Sequence, residues 1–138
     1  MIRPEISNDS DFQMPLITIV DDDESLRDSI LSLLRAFGFR VKTFVSAEDL
    51  LLHADVLHKT SCLIVDIRMP GMSGLELHSK LNYYLPRIPT IFITGHYDEK
   101  TRAQALKEGA MAILNKPFTE DALLGSIELA LQKTNHPF

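Results

Sequence analysis

Residues 62–74 read CLIVDIRMPGMSG. Four apolar or near-apolar residues, Cys62 to Val65, carry Asp66 to the end of what reads as a buried strand, and Pro70, Gly71 and Gly74 then turn the chain. Three other runs share this design. LITIV at 16–20 ends on Asp21, Asp22 and Asp23; TIFI at 90–93 ends on Thr94 and Gly95; MAIL at 111–114 is followed by Asn115, Lys116 and Pro117. Four apolar runs thus deliver acids, a hydroxyl and a lysine at their carboxyl ends. In an open parallel α/β sheet those ends face one crevice, where such folds bind ligands.

Between the runs the apolar spacing changes from strand-like to helical. Leu26, Ile30, Leu33, Leu34 and Phe37 fall on one face of a helix over about 24–37, and Gly38 stands where a C′ glycine belongs. A strand at 40–44 (RVKTF) alternates in polarity, and Ser46 caps a helix over 47–57 whose first turn holds Glu48 and Asp49. Ser73 caps a helix over 74–84 with Leu77, Leu81 and Tyr84 inward; Pro86 and Pro89 punctuate the loop that follows. Asp98 or Glu99 opens a helix to 108, stopped by Gly109; a strand spans 111–115; Thr119 caps a helix over 120–133 with Leu123, Leu124, Ile127, Ala130 and Leu131 apolar. The order is (βα)5, which predicts a doubly wound five-stranded parallel α/β sheet with helices on both faces and right-handed crossovers. Residues 1–14 read as an N-terminal extension, 15–133 as one domain and 134–138 as a tail.

Composition narrows the function classes. A chain of 138 residues is about one domain and needs no disulfide or metal to fold. No run approaches the ~20 apolar residues of a membrane span, and no signal-peptide pattern precedes the first strand. One cysteine, Cys62, inside an apolar run fits a reducing cytoplasm. The formal charge of −5 argues against this domain gripping a phosphate backbone by itself.

The chemistry lies in the acids and the lysine. If the first and third strands are neighbours, Asp21, Asp22 and Asp66 meet. Clustered carboxylates raise each other's proton affinity unless a cation is shared, and all-oxygen ligation suits Mg²⁺. Helix capping explains Asp23 and Glu24, and would explain Asp21 and Asp22 taken alone; Asp66 at the end of a second strand favours the cation. Lys116 alone is an ordinary surface lysine, but beside such acids it neutralises charge on a phosphoryl group. Thr94 offers a hydroxyl donor, although strand propensity alone accounts for a threonine there. No metal-binding pair forms among His53, His58, His78, His96 and His136. Such a site suits phosphoryl transfer to the carboxylate of Asp66. No glycine-rich phosphate loop is present, so nucleotide is not the direct donor.

VDDDESLRDS, LIVDIRMPGMSGLEL, FITGH and NKPF together resemble the motifs of two-component response regulator receiver domains, nearest the FixJ type, over about residues 15–133. The resemblance implies the flavodoxin- or CheY-like strand order 2-1-3-4-5, which periodicity alone does not give. It implies that Asp66 accepts a phosphoryl group from a sensor histidine kinase or a phosphotransfer protein. It implies Mg²⁺ held by Asp22, Asp66 and the backbone carbonyl of Arg68, with Asp21 acting through water. Thr94 is then the switch hydroxyl and Lys116 the family's lysine, joined to Pro117 by a cis bond. Arg68 and His96 stand where the family tunes the lifetime of the phosphorylated state.

One departure matters. The family's second switch position, usually Tyr or Phe, is Ile113 here, and Tyr97 stands beside His96 where Gly is common. The expected output is a phosphorylation-dependent homodimer through the 98–108, 111–115 and 120–133 face. It would act on a partner protein or on transcription, with no enzyme activity beyond the domain's own phosphorylation and dephosphorylation. A standalone receiver is expected narrowly over a fragment of a DNA-binding regulator. Two rivals remain: a degenerate receiver that binds partners without phosphorylation, and a Mg²⁺-dependent phosphatase with Asp21 as nucleophile.

Overall fold

A computed structural model describes residues 14–85, 88–96 and 98–135. Five strands, β1 (Leu16–Val20), β2 (Arg40–Phe44), β3 (Thr60–Asp66), β4 (Thr90–Thr94) and β5 (Ala112–Asn115), form one sheet. All neighbours are parallel and the order is β2-β1-β3-β4-β5. This is the 2-1-3-4-5 order that the resemblance implied.

Among the described residues five helices connect the strands, α1 (Glu24–Ala36), α2 (Ala47–Leu51), α3 (Ala54–Lys59), α4 (Gly74–Tyr84) and α5 (Glu99–Lys107), and α6 (Glu120–Asn135) follows the last strand. Alternation along the strands sorts their side chains into two layers. Ile17, Ile19, Cys62, Ile64, Ile91 and Ile93 pack against Ile30 and Leu34 of α1 and Leu123, Ile127 and Ala130 of α6. Val20, Leu63, Val65 and Phe92 pack against Leu50, Leu57, Leu77, Leu81 and Ala105 on the other face. Truncating one of the buried Leu or Ile side chains to Ala would cost about 2–5 kcal/mol. A hydroxyl pair between the central strands is satisfied: Thr18 Oγ1 and Thr60 Oγ1 lie 2.7 Å apart, and Thr60 Oγ1 donates to the Val56 carbonyl.

Caps fix the helix ends as the sequence signals. Asp23, Ser46, Ser73 and Asp98 accept from backbone amides two or three residues on, Ser73 within a full capping box with Glu76. Thr119 Oγ1 accepts from Ala122 N. Gly38 ends α1 at φ +90, with its own N–H bonded to the Arg35 carbonyl and the next to Leu34, a geometry that only glycine adopts without strain.

Several expectations are corrected. The helix expected over 47–57 is two short helices. The chain breaks at Leu52 and His53, where His53 Nδ1 lies 2.9 Å from the Asp49 carbonyl and His53 becomes the N-cap of α3. The third strand starts at Thr60, two residues earlier than read. Phe37 (56% exposed) and Tyr84 (70%) follow the helical spacing but lie at helix ends beyond the sheet, so neither is core. α6 runs to Asn135, past the expected end at 133. The expectations on residues 1–13, Pro86, Tyr97 and His136 lie outside the described residues.

Candidate functional site

The crevice at the strand ends is built by register. Val20 pairs with Val65, so the next residues, Asp21 and Asp66, emerge side by side. Carboxylate oxygens of Asp21, Asp22 and Asp66 all lie within 4.8 Å of one another. Asp21 is 1% exposed and Asp66 6%, while Asp22 faces solvent. Across the crevice, Lys116 N–H bonds to the Thr94 carbonyl at 2.8 Å, which aims the side chain back over the sheet end. Its Nζ donates to Asp66 Oδ2 at 2.7 Å and lies 3.8 Å from Asp21 Oδ2. Gly95 borders the Lys116 stem, where an added Cβ would make only an ordinary contact at 3.6 Å. The Lys116–Pro117 bond is cis.

The loop after β3 wraps the Asp66 carboxylate. Arg68 N donates to Asp66 Oδ1 at 2.8 Å, and Gly74 N to the Ile67 carbonyl at 2.9 Å. Gly74 is needed sterically, since a Cβ there would collide with the Asp66 carbonyl oxygen. The Arg68 side chain points outward, 3.8 Å from Asp98.

The electrostatics are unbalanced toward negative. Burial lifts Asp21 above the usual carboxylate range; the Asp23 amide opposes this and the Asp66 charge adds to it. Asp21 Oδ1 accepts from Asp23 N at 2.9 Å, but buried Oδ2 has no hydrogen-bond partner among the described residues. Burial also works against the Lys116 ammonium, yet the Asp66 hydrogen bond and the charges of Asp66, Asp21 and Asp23 outweigh it and hold the lysine above its ordinary value. An orphaned carboxylate oxygen within a three-acid cluster fits a hard divalent cation.

The other expected residues stand apart from the acids. Thr94 is buried, but its Oγ1 donates to the His96 carbonyl at 3.0 Å and accepts from His96 N at 3.2 Å. The His96 side chain faces solvent. Ile113 is half-buried against the Phe92 layer. With Ile67, Thr94 and Arg102 it lines a cavity of only about 10 Å³.

Two contributors were missed in the sequence. Arg27 Nη1 donates to the Asp21 carbonyl at 2.7 Å, and Glu48 Oε2 accepts from Met72 N at 2.8 Å. Arg27 stands one turn into the helix that follows the acids, which was the available signal. Glu48 was read only as a first-turn acid.

The family model for the response regulator receiver domain matches residues 17–128. The chain belongs to this family. Response regulator protein TmoT of Ectopseudomonas mendocina is 45% identical over 130 residues, covering 91% of this chain and 59% of that protein. Transcriptional regulatory protein FixJ of Bradyrhizobium diazoefficiens is 38% identical over 119 residues, covering 85% and 57%. The chain thus spans less than two-thirds of either relative. Among solved structures, a receiver domain protein from Clostridium thermocellum superposes with a TM-score of 0.82 at 29% identity, covering 87% of this chain and 96% of that one. FixJ-N superposes at 0.79 with 39% identity, covering 88% and 96%. The domain is therefore a signalling receiver of two-component systems, and the phosphatase and phosphorylation-independent rivals are not favoured. Receiver domains interact with histidine kinases and generally bind Mg²⁺ in an acidic pocket such as the one formed here. No helix among the described residues is long and apolar enough to cross a membrane.

Proposed function

We propose that Asp66 is the phosphoacceptor of this receiver, with Lys116 as its electrostatic partner and Asp22, Asp66 and the Arg68 carbonyl as protein ligands for Mg²⁺, Asp21 acting through water. The observation that carries this reading is the cluster itself: two buried carboxylates and a third open to solvent, one buried oxygen having no hydrogen-bond partner among the described residues, against the Lys116 ammonium. A carboxylate oxygen of Asp66 bonds to phosphorus as the donor's N–P bond breaks, and the electron pair stays on the phosphohistidine imidazole. Mg²⁺, when bound, supplies positive charge to the transferring group. Lys116 Nζ, already 2.7 Å from the nucleophile, supplies more and orients it. The Arg68 amide fixes the other oxygen of the carboxylate.

Thr94 is the switch hydroxyl in this reading, and Arg68 and His96 set the lifetime of the phosphorylated state. The output face is α5, β5 and α6, where Leu106 and Leu129 stand exposed as apolar contacts for a second copy. The partners are a sensor kinase or a phosphotransfer protein and a downstream protein or DNA-binding module, in the cytoplasm. The acidic charge keeps nucleic acid off this domain itself.

The test is intact mass after incubation with acetyl phosphate and Mg²⁺. Wild type gains one phosphoryl group and Asp66→Ala gains none. Addition that survives Asp66→Ala would move the nucleophile to the first acidic cluster; no addition to wild type would favour the phosphorylation-independent alternative.

A further inference from the structure

The loop from Ile67 to Ser73 carries the Arg68 carbonyl and is held at both ends and in its middle. At its start, Ile67 N donates to the Ile93 carbonyl of β4, Arg68 N to Asp66 Oδ1, and Gly74 N to the Ile67 carbonyl. Its middle is held from α2: Glu48, 24 residues away, accepts from Met72 N at 2.8 Å. Gly71 is matched to this contact. It sits at φ +76, and a Cβ on it would come within 2.6 Å of Glu48 Oε2. Any larger residue at 71 would therefore displace the carboxylate as well as strain the turn. The Met72 amide bond holds Glu48 below the usual carboxylate range, so it is a full charge at neutral pH. At the loop's exit the Ser73–Glu76 capping box fixes the start of α4.

We infer that Glu48 is a positioning residue for phosphoryl acceptance, holding the loop at Gly71 and Met72 so that the Arg68 carbonyl and the Asp66 carboxylate keep the geometry that binds the cation. This rests on the reading of Asp66 and Arg68 as phosphoacceptor and ligand. Glu48 acts through backbone: it touches Met72, which lies four residues along the same loop from Arg68. Its position is open to water, so the contact contributes to geometry rather than to global stability. Outer-shell partners of metal ligands act in this way.

The test compares Glu48→Ala, Glu48→Gln and Gly71→Ala with wild type in three measurements. These are Mg²⁺ affinity by calorimetric titration, acetyl phosphate uptake by intact mass, and hydrogen exchange at the Met72 amide by NMR. Glu48→Ala weakens Mg²⁺ about 10-fold, the low end for outer-shell partners. It also speeds Met72 exchange and leaves the melting temperature near that of wild type. Glu48→Gln keeps an acceptor oxygen without the charge and restores most of the affinity, while Gly71→Ala behaves like Glu48→Ala. Wild-type Mg²⁺ affinity and uptake in Glu48→Ala would overturn the inference alone. So would a defect in Glu48→Gln equal to that of Glu48→Ala, since charge and not positioning would then be at work. A wild type that takes up no phosphoryl group would overturn the reading of Asp66, and the inference would fall with it.

Discussion

The carboxyl ends of β1 and β3 and those of β4 and β5 lie in one row, yet they are finished in opposite ways. The first pair ends in buried carboxylates that face the Lys116 ammonium, and one oxygen of Asp21 has no hydrogen-bond partner among the described residues. Of the second pair, the β5 end sends Lys116 across to those acids, while the Thr94 end is satisfied locally. The Thr94 hydroxyl makes both of its hydrogen bonds to the His96 backbone, and Ile113 has no polar atom to offer. On the proposed role of Asp66, the first half is already poised, because Lys116 Nζ and the Arg68 amide both bond to its carboxylate. A response at the second half must first break the local bonds of Thr94. The family's usual aromatic at 113 is missing, so no ring can follow that hydroxyl inward.

The comparison is broken most severely at Lys116. Lys116→Met keeps the apolar stem and removes the ammonium. Phosphoryl uptake by Asp66 falls about 100-fold, the effect of deleting one preorganised charge partner. The folded state also loses stability at neutral pH, because Asp66 and Asp21 are left without their counter-charge. Initial rates of acetyl phosphate labelling and urea unfolding at pH 7 check both parts. Labelling at the wild-type rate would mean that the ammonium is a bystander and that the two halves do not differ as described.

Asp21 gives the next largest effect, with the opposite sign for stability. Its folded pKa is raised above the unfolded value of 3.8 by burial. The stability it contributes is therefore fully present below that value and lost as pH rises through the folded pKa. Above its folded pKa and without Mg²⁺, the wild-type residue carries a charge that burial disfavours. Asp21→Asn should stabilise the domain by about 1 kcal/mol at pH 7, with the gain shrinking toward pH 4, while Mg²⁺ affinity falls. Denaturant midpoints at the two pH values, with and without Mg²⁺, decide it. A variant less stable than wild type at pH 7 would show that Lys116 already compensates Asp21 fully.

The charged half was also the half that could be read in the sequence. Asp21, Asp66 and Lys116 end apolar runs, and a charge directly after a buried strand has few places to go. Strand membership followed from the same runs, but strand order did not, because parallel neighbours leave no mark on periodicity; the order came with the family resemblance. The break at Leu52 and His53 was invisible, since neither Gly nor Pro marks it and it depends on His53 reaching the Asp49 carbonyl. Glu48 was invisible for a related reason: its partner is a backbone amide 24 residues on, next to a glycine that only the folded turn explains. Phe37 and Tyr84 show the reverse error, a correct helical period carried past the point where the sheet still covers the helix.

The smallest predicted effect tests the quiet half. Thr94→Val preserves shape and removes the hydroxyl. The His96 N–H and carbonyl each lose their bond to Oγ1, and the domain loses about 1 kcal/mol. Because the hydroxyl is engaged with His96 before reaction, its loss should slow phosphoryl uptake less than 10-fold, well short of the Lys116 variant in the same labelling experiment. Its consequence should instead appear afterwards, as weaker coupling of phosphorylation to self-association in sedimentation runs with and without beryllofluoride. Thr94→Ser, which keeps the hydroxyl, should restore that coupling. Uptake slowed in Thr94→Val as far as in Lys116→Met would place the hydroxyl within the reacting half and erase the division. Uptake and self-association both at wild-type levels would leave the β4–β5 end without a signalling role, and the route from Asp66 to the output face would then have to run through the loop that Glu48 holds.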